Sequence, residues 1–272
     1  MSLYNWIRPE DYTMDVYLHY DRWVLDYLLS GQAWYPEGRD YKTDLARALS
    51  RYPHVKAFCR HKAPECAAFL DEVERIDVSA ITQEEFLDAQ RAIMEAQETF
   101  VVYAYPEVMN QLGYIRHWDE QYLHRLLDLT GLVVLDVGAG TGRLTFAAAK
   151  KARRVYASEP CDMLREFMRD EIKRRSIPNV RVLDGYVTAL PFEDDTFDAV
   201  LSGHVVGDLY DEEIAEMSRV VKPGGWLIIC NGDDTWKRDH PNPELTRRGF
   251  EAFRHENELG GVIFDYRMQV AK

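Results

Sequence analysis

The chain is poor in positive charge. It carries 33 lysines and arginines against 46 aspartates and glutamates, a formal net charge of −13. Phosphate contacts need clustered Lys and Arg, so this balance argues against nucleic acid as a substrate. Two small basic clusters, Lys151/Arg153/Arg154 and Lys173/Arg174/Arg175, fall at predicted helix C-termini, where cations offset the helix dipole. No apolar run approaches the ~20 residues of a membrane span, so no membrane partner is expected. Met1 to Tyr12 show no apolar stretch after a basic start, so no export signal is expected. Cysteine is scarce at four. With no export signal, the thiols are expected to be reduced and the protein cytoplasmic.

Two of the cysteines, Cys59 and Cys66, stand with His54 and His61 in H-x4-C-x-H-x4-C. Zinc clusters favour shorter pairs, C-x2–4-C or H-x3–5-H. On a helix the two His share one face and the two Cys another, and Pro64 interrupts the segment. The four are read as structural, with no metal. Cys161 lies at a predicted helix start between Glu159 and Asp162 and is read as a packed thiol. Cys230 ends a predicted central strand.

Hydrophobic residues make up 46% of the 272, enough for a substantial core. The most informative string is Val133-Val134-Leu135-Asp136-Val137-Gly138-Ala139-Gly140-Thr141-Gly142-Arg143. It reads as a buried strand, a glycine-rich turn and then a helix from Leu144. Such a unit places a ligand crevice at the carboxyl end of a parallel sheet. The dinucleotide fingerprint is G-x-G-x-x-G, but Arg143 stands where its third Gly would be. Asp136 beside a pyrophosphate would repel it, whereas an acid suits a cationic ligand. S-Adenosylmethionine has a sulfonium, an ammonium, a carboxylate and no phosphate, and matches this turn better.

With that string the chain resembles the class I S-adenosylmethionine-dependent methyltransferases, in a small-molecule branch like that of quinone biosynthesis. Three more stretches, in order, carry the resemblance over roughly Gln111 to Lys272. They are Val155 to Pro160, a strand ending in an acid; Leu183 to Phe192 followed by Phe197 to Ser202; and Val221 to Ile229 around Lys222-Pro223-Gly224-Gly225. The resemblance implies S-adenosylmethionine as cofactor, with backbone contacts at Gly138, Ala139, Gly140 and Gly142. Asp136 then supports the turn or faces the ammonium, and Glu159 binds the ribose. Pro160 and Met163 pack near the adenine, Tyr186 and Val187 border it, and Ser202 and Gly203 lie below the methionine part. Tyr114 and Arg116 are placed to reach the carboxylate. The chain departs from the family in two places. Tyr186 stands where many relatives carry an adenine-binding Asp, and Gly207-Asp208 stands where quinone-pathway relatives show Glu-His.

Methyl transfer needs a base only when the nucleophile keeps its proton. His204, just after the fourth strand, is the candidate, with Asp208 to orient it or bind substrate. The implied reaction is in-line displacement onto a small molecule. The alternatives are a protein or RNA methyltransferase, or a silent module that binds S-adenosylmethionine without turnover; a nicotinamide dehydrogenase is disfavoured by Arg143.

The expected fold is α/β, a doubly wound, seven-stranded Rossmann-like sheet, residues 111–272, after a helical cap, residues 1–110, that covers substrate. Strands are expected near 132–137, 154–159, 180–184, 197–202 and 225–231, with helices near 119–129, 142–152, 160–175 and 210–221. Pro160 is placed at a first helical position. The tail reads as a helix near 243–254 and a hairpin across Gly260-Gly261. In the first region, helical patterns run over 12–29, 42–58, 64–75 and 82–103. Thr82 and Glu85 there fit a capping box. Aromatics are dense: Tyr4, Trp6, Tyr12, Tyr17, Tyr20, Trp23, Tyr27, Trp34 and Tyr35.

Overall fold

A computed structural model describes residues 8–30, 35–231, 240–256 and 261–272. Tyr4, Trp6 and Trp34 of the aromatic series, and Gly260 of the expected hairpin turn, lie outside the described residues. The chain divides into two compact units, Met1–Val108 and Met109–Lys272.

The second unit is built on one seven-stranded sheet in the order β3-β2-β1-β4-β5-β7-β6. β1 (Val133–Val137), β2 (Arg154–Ser158), β3 (Val180–Leu183), β4 (Phe197–Ser202) and β5 (Val221–Ile229) are parallel. β7 (Val262–Gln269) runs antiparallel to β5, and β6 (Glu251–Glu256) pairs with it at the edge. The central strands are apolar on both faces because helices cover both. Leu135, Val137, Val200 and Ile229 enter one core with Met217 and Tyr266. Val134, Leu201 and Ile228 enter the other with Leu123, Ala147 and Ala148. From β1 the order runs to β2 and β3 on one side and crosses to β4 on the other. The crevice beyond β1 and β4 is therefore the topological switch point, where open α/β sheets bind ligands.

Beyond shifts of a few residues at helix ends, three boundaries differ from the sequence reading. β5 begins at Val221, and the Lys222-Pro223-Gly224-Gly225 stretch is an irregularity within it: Phe197 pairs with Val221 but Ala199 pairs with Trp226. Pro160 is not the first helical residue; the helix runs Asp162–Arg175 with Cys161 as N-cap. The helix expected over 243–254 covers only Pro243–Thr246, and Glu251–Glu256 is an edge strand. The charged alternation of that strand reads as helical because only one of its edges is paired.

In the first unit the long helical runs are broken where a polar group needs the backbone. The 12–29 run splits into a 3-10 segment, Met14–His19, and a helix, Arg22–Leu29, whose N-cap Asp21 accepts from the Arg22 N–H. Pro53 starts a new helix, Pro53–Lys62, after Tyr41–Leu49. The Thr82–Glu85 capping box is present at the head of Gln83–Ala96. At Gln97 the next helix is offset, and the buried Gln97 amide donates to Tyr17 Oη (2.6 Å) and Tyr41 Oη (2.9 Å).

Candidate active site

The glycine turn joins β1 to the helix Arg143–Ala149. Gly138 has φ +62°, and a Cβ there would lie 2.3 Å from Val205 Cγ2. Gly142 has φ +92°, and a Cβ there would meet the Phe146 ring at 2.5 Å. These positions admit only glycine without rearrangement, which leaves the turn's backbone bare toward the crevice. Asp136 is 1% exposed and accepts from Thr145 Oγ1 at 2.6 Å, tying β1 to the helix that follows the turn. Burial pushes its carboxyl up to about 7, against the pull of the Thr145 hydroxyl and the Arg143 charge.

Glu159, one residue beyond β2, is 3% exposed. Its two oxygens accept from the Gly140 N–H (2.8 Å) and the Cys161 N–H (2.9 Å). Burial raises its pKa, and these backbone donors oppose the rise. Each oxygen keeps a further lone pair, so the group can also accept from ligand hydroxyls. The Pro160 carbonyl accepts from Arg165, and Met163 is half-buried in the first turn of its helix. A Cβ on Gly185 would meet Ser158 Oγ at 2.5 Å, so the loop that carries Tyr186 and Val187 passes the end of β2. The structure thus brings the glycine turn, Glu159 and this loop together at the carboxyl ends of β1 and β2. Ser158 Oγ and Ser202 Oγ are both buried there without a hydrogen-bond partner among the described residues. Bare glycine backbone, a held carboxylate and orphaned hydroxyls fit a nucleoside ligand with polar ends.

Beyond β4 the chain reverses through Gly203 and His204. His204 adopts φ +61°, a region that non-glycine residues enter at a cost, and its N–H donates to Asn231 Oδ1 at 3.0 Å. Its residue surface is exposed, while one ring face lies on Tyr114, with centroids 4.0 Å apart. The enclosed side of the ring and the nearby Arg143 charge push its pKa down to about 3, so it is neutral at physiological pH. Arg116 lies exposed. The cation beside Tyr114 is instead Arg143, 5.8 Å from that ring and 4.8 Å from the Trp118 ring. Arg143 Nη2 donates to the Cys230 carbonyl at 2.8 Å.

A buried polar group adjoins Arg143. Asp265, 2% exposed, sits beside the Cys230 thiol, and His255 Nδ1 lies 3.2 Å from Asp265 Oδ2. His255 stacks on Tyr122 at 3.8 Å. Burial pushes Asp265 up to about 7 and His255 down to about 4. Sequence reasoning missed this pair, because only the β6–β7 hairpin brings the two residues together. It also read Arg143 as a missing glycine and not as a side chain with its own surroundings.

In the first unit, Cys59 and Cys66 are buried, and burial pushes their thiols up to about 12 and about 11. His54 Nε2 lies 2.6 Å from Asp15 Oδ1. Among the described residues no group of three or more His, Cys, Asp or Glu side chains is placed to hold a metal, and no helix is long and apolar enough to cross a membrane.

Known proteins share the sequence pattern and the fold of this second unit. A family profile described as "Methyltransferase domain" matches residues 135–229, from β1 through β5. The ubiquinone/menaquinone biosynthesis C-methyltransferase UbiE of Marinomonas sp. is 32% identical over 218 residues, 62% of this chain and 87% of that protein. A demethylmenaquinone methyltransferase of Lactococcus lactis is 30% identical over 153 residues, 54% of this chain and 58% of that protein. The chain spans only 51–58% of the length of several curated relatives. The crystal structure of a SAM-dependent methyltransferase from Aquifex aeolicus superposes with a TM-score of 0.50 at 20% identity. The match covers 62% of this chain and 98% of that one, which shows a shared fold.

Proposed function

The chain belongs to the class I S-adenosylmethionine-dependent methyltransferase family, and from that premise we propose that it methylates a small-molecule acceptor. The observation that carries the donor side of this reading is the Glu159 carboxylate, pinned by Gly140 N–H beside a bare glycine turn. When bound, S-adenosylmethionine supplies an electrophilic methyl group on a sulfonium.

The chain's residues then have separate tasks. The backbone of Gly138, Ala139, Gly140 and Gly142 cradles the donor, and Glu159 accepts from its ribose hydroxyls. Pro160, Met163, Tyr186 and Val187 border the adenine. Ser202 and Gly203 floor the methionine end, and Asp136 holds the turn in place through Thr145. An acceptor nucleophile must be held about 3 Å from the methyl carbon and in line with it. His204 is neutral and exposed at the rim, so a ring nitrogen can accept a hydrogen bond from the acceptor's O–H or N–H and orient its lone pair. Its pKa near 3 makes it a poor proton acceptor, so the proton leaves to solvent once the methyl has moved.

The acceptor reading rests on two features. The formal charge of −13 disfavours nucleic acid. In the first unit, Trp23 (38% exposed) and Tyr27 (40% exposed) form an exposed aromatic cluster with Phe100 and Tyr103, apt for an aromatic small molecule. We assign acceptor choice to residues 1–110 on this basis. Some relatives are named for demethylmenaquinone, so quinols belong among the first acceptors to test. Incubation with isotopically methyl-labelled donor and a panel of quinols, phenols and amines tests the proposal. Labelled small-molecule product supports it; label appearing only on protein or RNA contradicts it.

A further inference from the structure

Arg143 has a need that the rest of the site does not meet. Its Nη2 donates to the carbonyls of Cys230 (2.8 Å) and Asn231 (3.4 Å), but Nη1 is buried and has no hydrogen-bond partner among the described residues. A guanidinium enclosed in this way is costly unless an anion compensates it. No carboxylate among the described residues forms an ion pair with it. Asp136 is engaged by Thr145, and Asp265 faces His255 and Cys230.

Arg143, Trp118, Thr141 and Gly142 line a cavity of about 450 Å3 against the glycine turn. Two other cations line it, and both are satisfied: Lys150 by Glu120 and Arg175 by Glu171. The Asp119 carboxylate on the same wall accepts from the Gln121 N–H. The guanidinium is held from both sides. Aromatic rings flank it, and a Cβ on Gly203 would lie 2.5 Å from Nη2. It is a rigid cation at a cavity wall with one donor atom unspent.

We infer that Arg143 is the anion-recognition group of this cavity and takes the carboxylate of a bound molecule. The inference rests on the methyl-donor reading of the same turn. The carboxylate has two possible sources, the methionine end of the donor or an acidic acceptor.

Calorimetry on the full chain separates them. The nucleoside probes are 5′-methylthioadenosine, S-adenosylhomocysteine and decarboxylated S-adenosylhomocysteine. The acceptor-side probes are benzoate and benzyl alcohol, added to protein saturated with S-adenosylhomocysteine. The variants are Arg143→Gln, which keeps an amide donor for the Cys230 carbonyl, and Arg143→Lys, which keeps the charge. A charge-assisted contact of this kind corresponds to roughly a 10- to 100-fold preference. If the donor is the source, the parent prefers S-adenosylhomocysteine over its decarboxylated analogue by that factor. The preference collapses in Arg143→Gln and partly survives in Arg143→Lys, while 5′-methylthioadenosine binds all three proteins alike. If the acceptor is the source, the same pattern appears between benzoate and benzyl alcohol. The inference is overturned if neither pair is discriminated by the parent, or if discrimination persists in Arg143→Gln. Should Arg143→Gln fail to fold, undiminished discrimination in Arg143→Lys overturns it. Failure of every nucleoside to bind would instead refute the donor reading, and this inference with it.

Discussion

The Gly140 N–H donates to Glu159 Oε2 at 2.8 Å, which locks the turn after β1 to the acid after β2. The Cys161 N–H holds the other oxygen. The carboxylate is therefore fixed before any ligand arrives, and binding does not have to pay for ordering it.

Close approach at Gly138 makes a sharp prediction. Gly138→Ala places a methyl 2.3 Å from Val205 Cγ2 at φ +62°. It is expected to cost about 1–3 kcal/mol of stability and to weaken S-adenosylhomocysteine binding. Val205→Ala in the same chain removes the clash but not the strained φ, so it restores part of the loss. Urea denaturation of the single and double variants measures both, and full tolerance of Gly138→Ala would show that the turn is not constrained as described.

Asp136 predicts a pH effect of definite sign. Burial raises its folded-state pKa to about 7, above the ordinary 3.8. Between those values the folded chain holds more protons than the unfolded one, so this group's contribution to stability falls as pH rises from 4 to 7. Asp265 acts in the same direction, whereas His204 and His255, both pushed down, act oppositely. The informative quantity is thus the difference between parent and Asp136→Asn. The parent is expected to lose stability relative to the variant across that window, read from thermal melts at several pH values. A constant difference would contradict the assignment.

His204→Ala is expected to lower turnover by roughly 10-fold and leave S-adenosylhomocysteine affinity unchanged. Since the ring is neutral above about 3, the parent's turnover should show no limb near pH 6.5 that the variant lacks. Unchanged turnover in His204→Ala would remove the orienting role.

Gln97→Leu strips a shared donor from the buried hydroxyls of Tyr17 and Tyr41. The expected destabilisation is about 1–3 kcal/mol, seen as a lower melting temperature of the first unit. Retained stability would mean the hydroxyls find other partners.

Much of the sheet was legible because its central strands are short, β-branched and bounded by turns. Val133–Val137 and Phe197–Ser202 lie within a residue of expectation. β6 was not, because Glu251–Glu256 pairs along one edge only and carries no apolar run. The helical breaks at Asp21 and Gln97 were hidden because each answers a local or tertiary polar bond, not a change in periodicity. At the site, Asp136, the glycines and Glu159 are local in sequence and could be read from spacing. Arg143 beside Gly203, Cys230 and Trp118 depends on the carboxyl ends of three strands and a loop meeting, which spacing does not encode.

The central claim is that the turn and Glu159 bind S-adenosylmethionine. Titration of parent and Glu159→Ala with S-adenosylmethionine, S-adenosylhomocysteine and NAD by calorimetry tests it most directly. The account predicts that the parent binds the first two and not NAD, and that Glu159→Ala loses roughly 10-fold or more in affinity. Undiminished binding by Glu159→Ala, or a parent that prefers NAD, would contradict it.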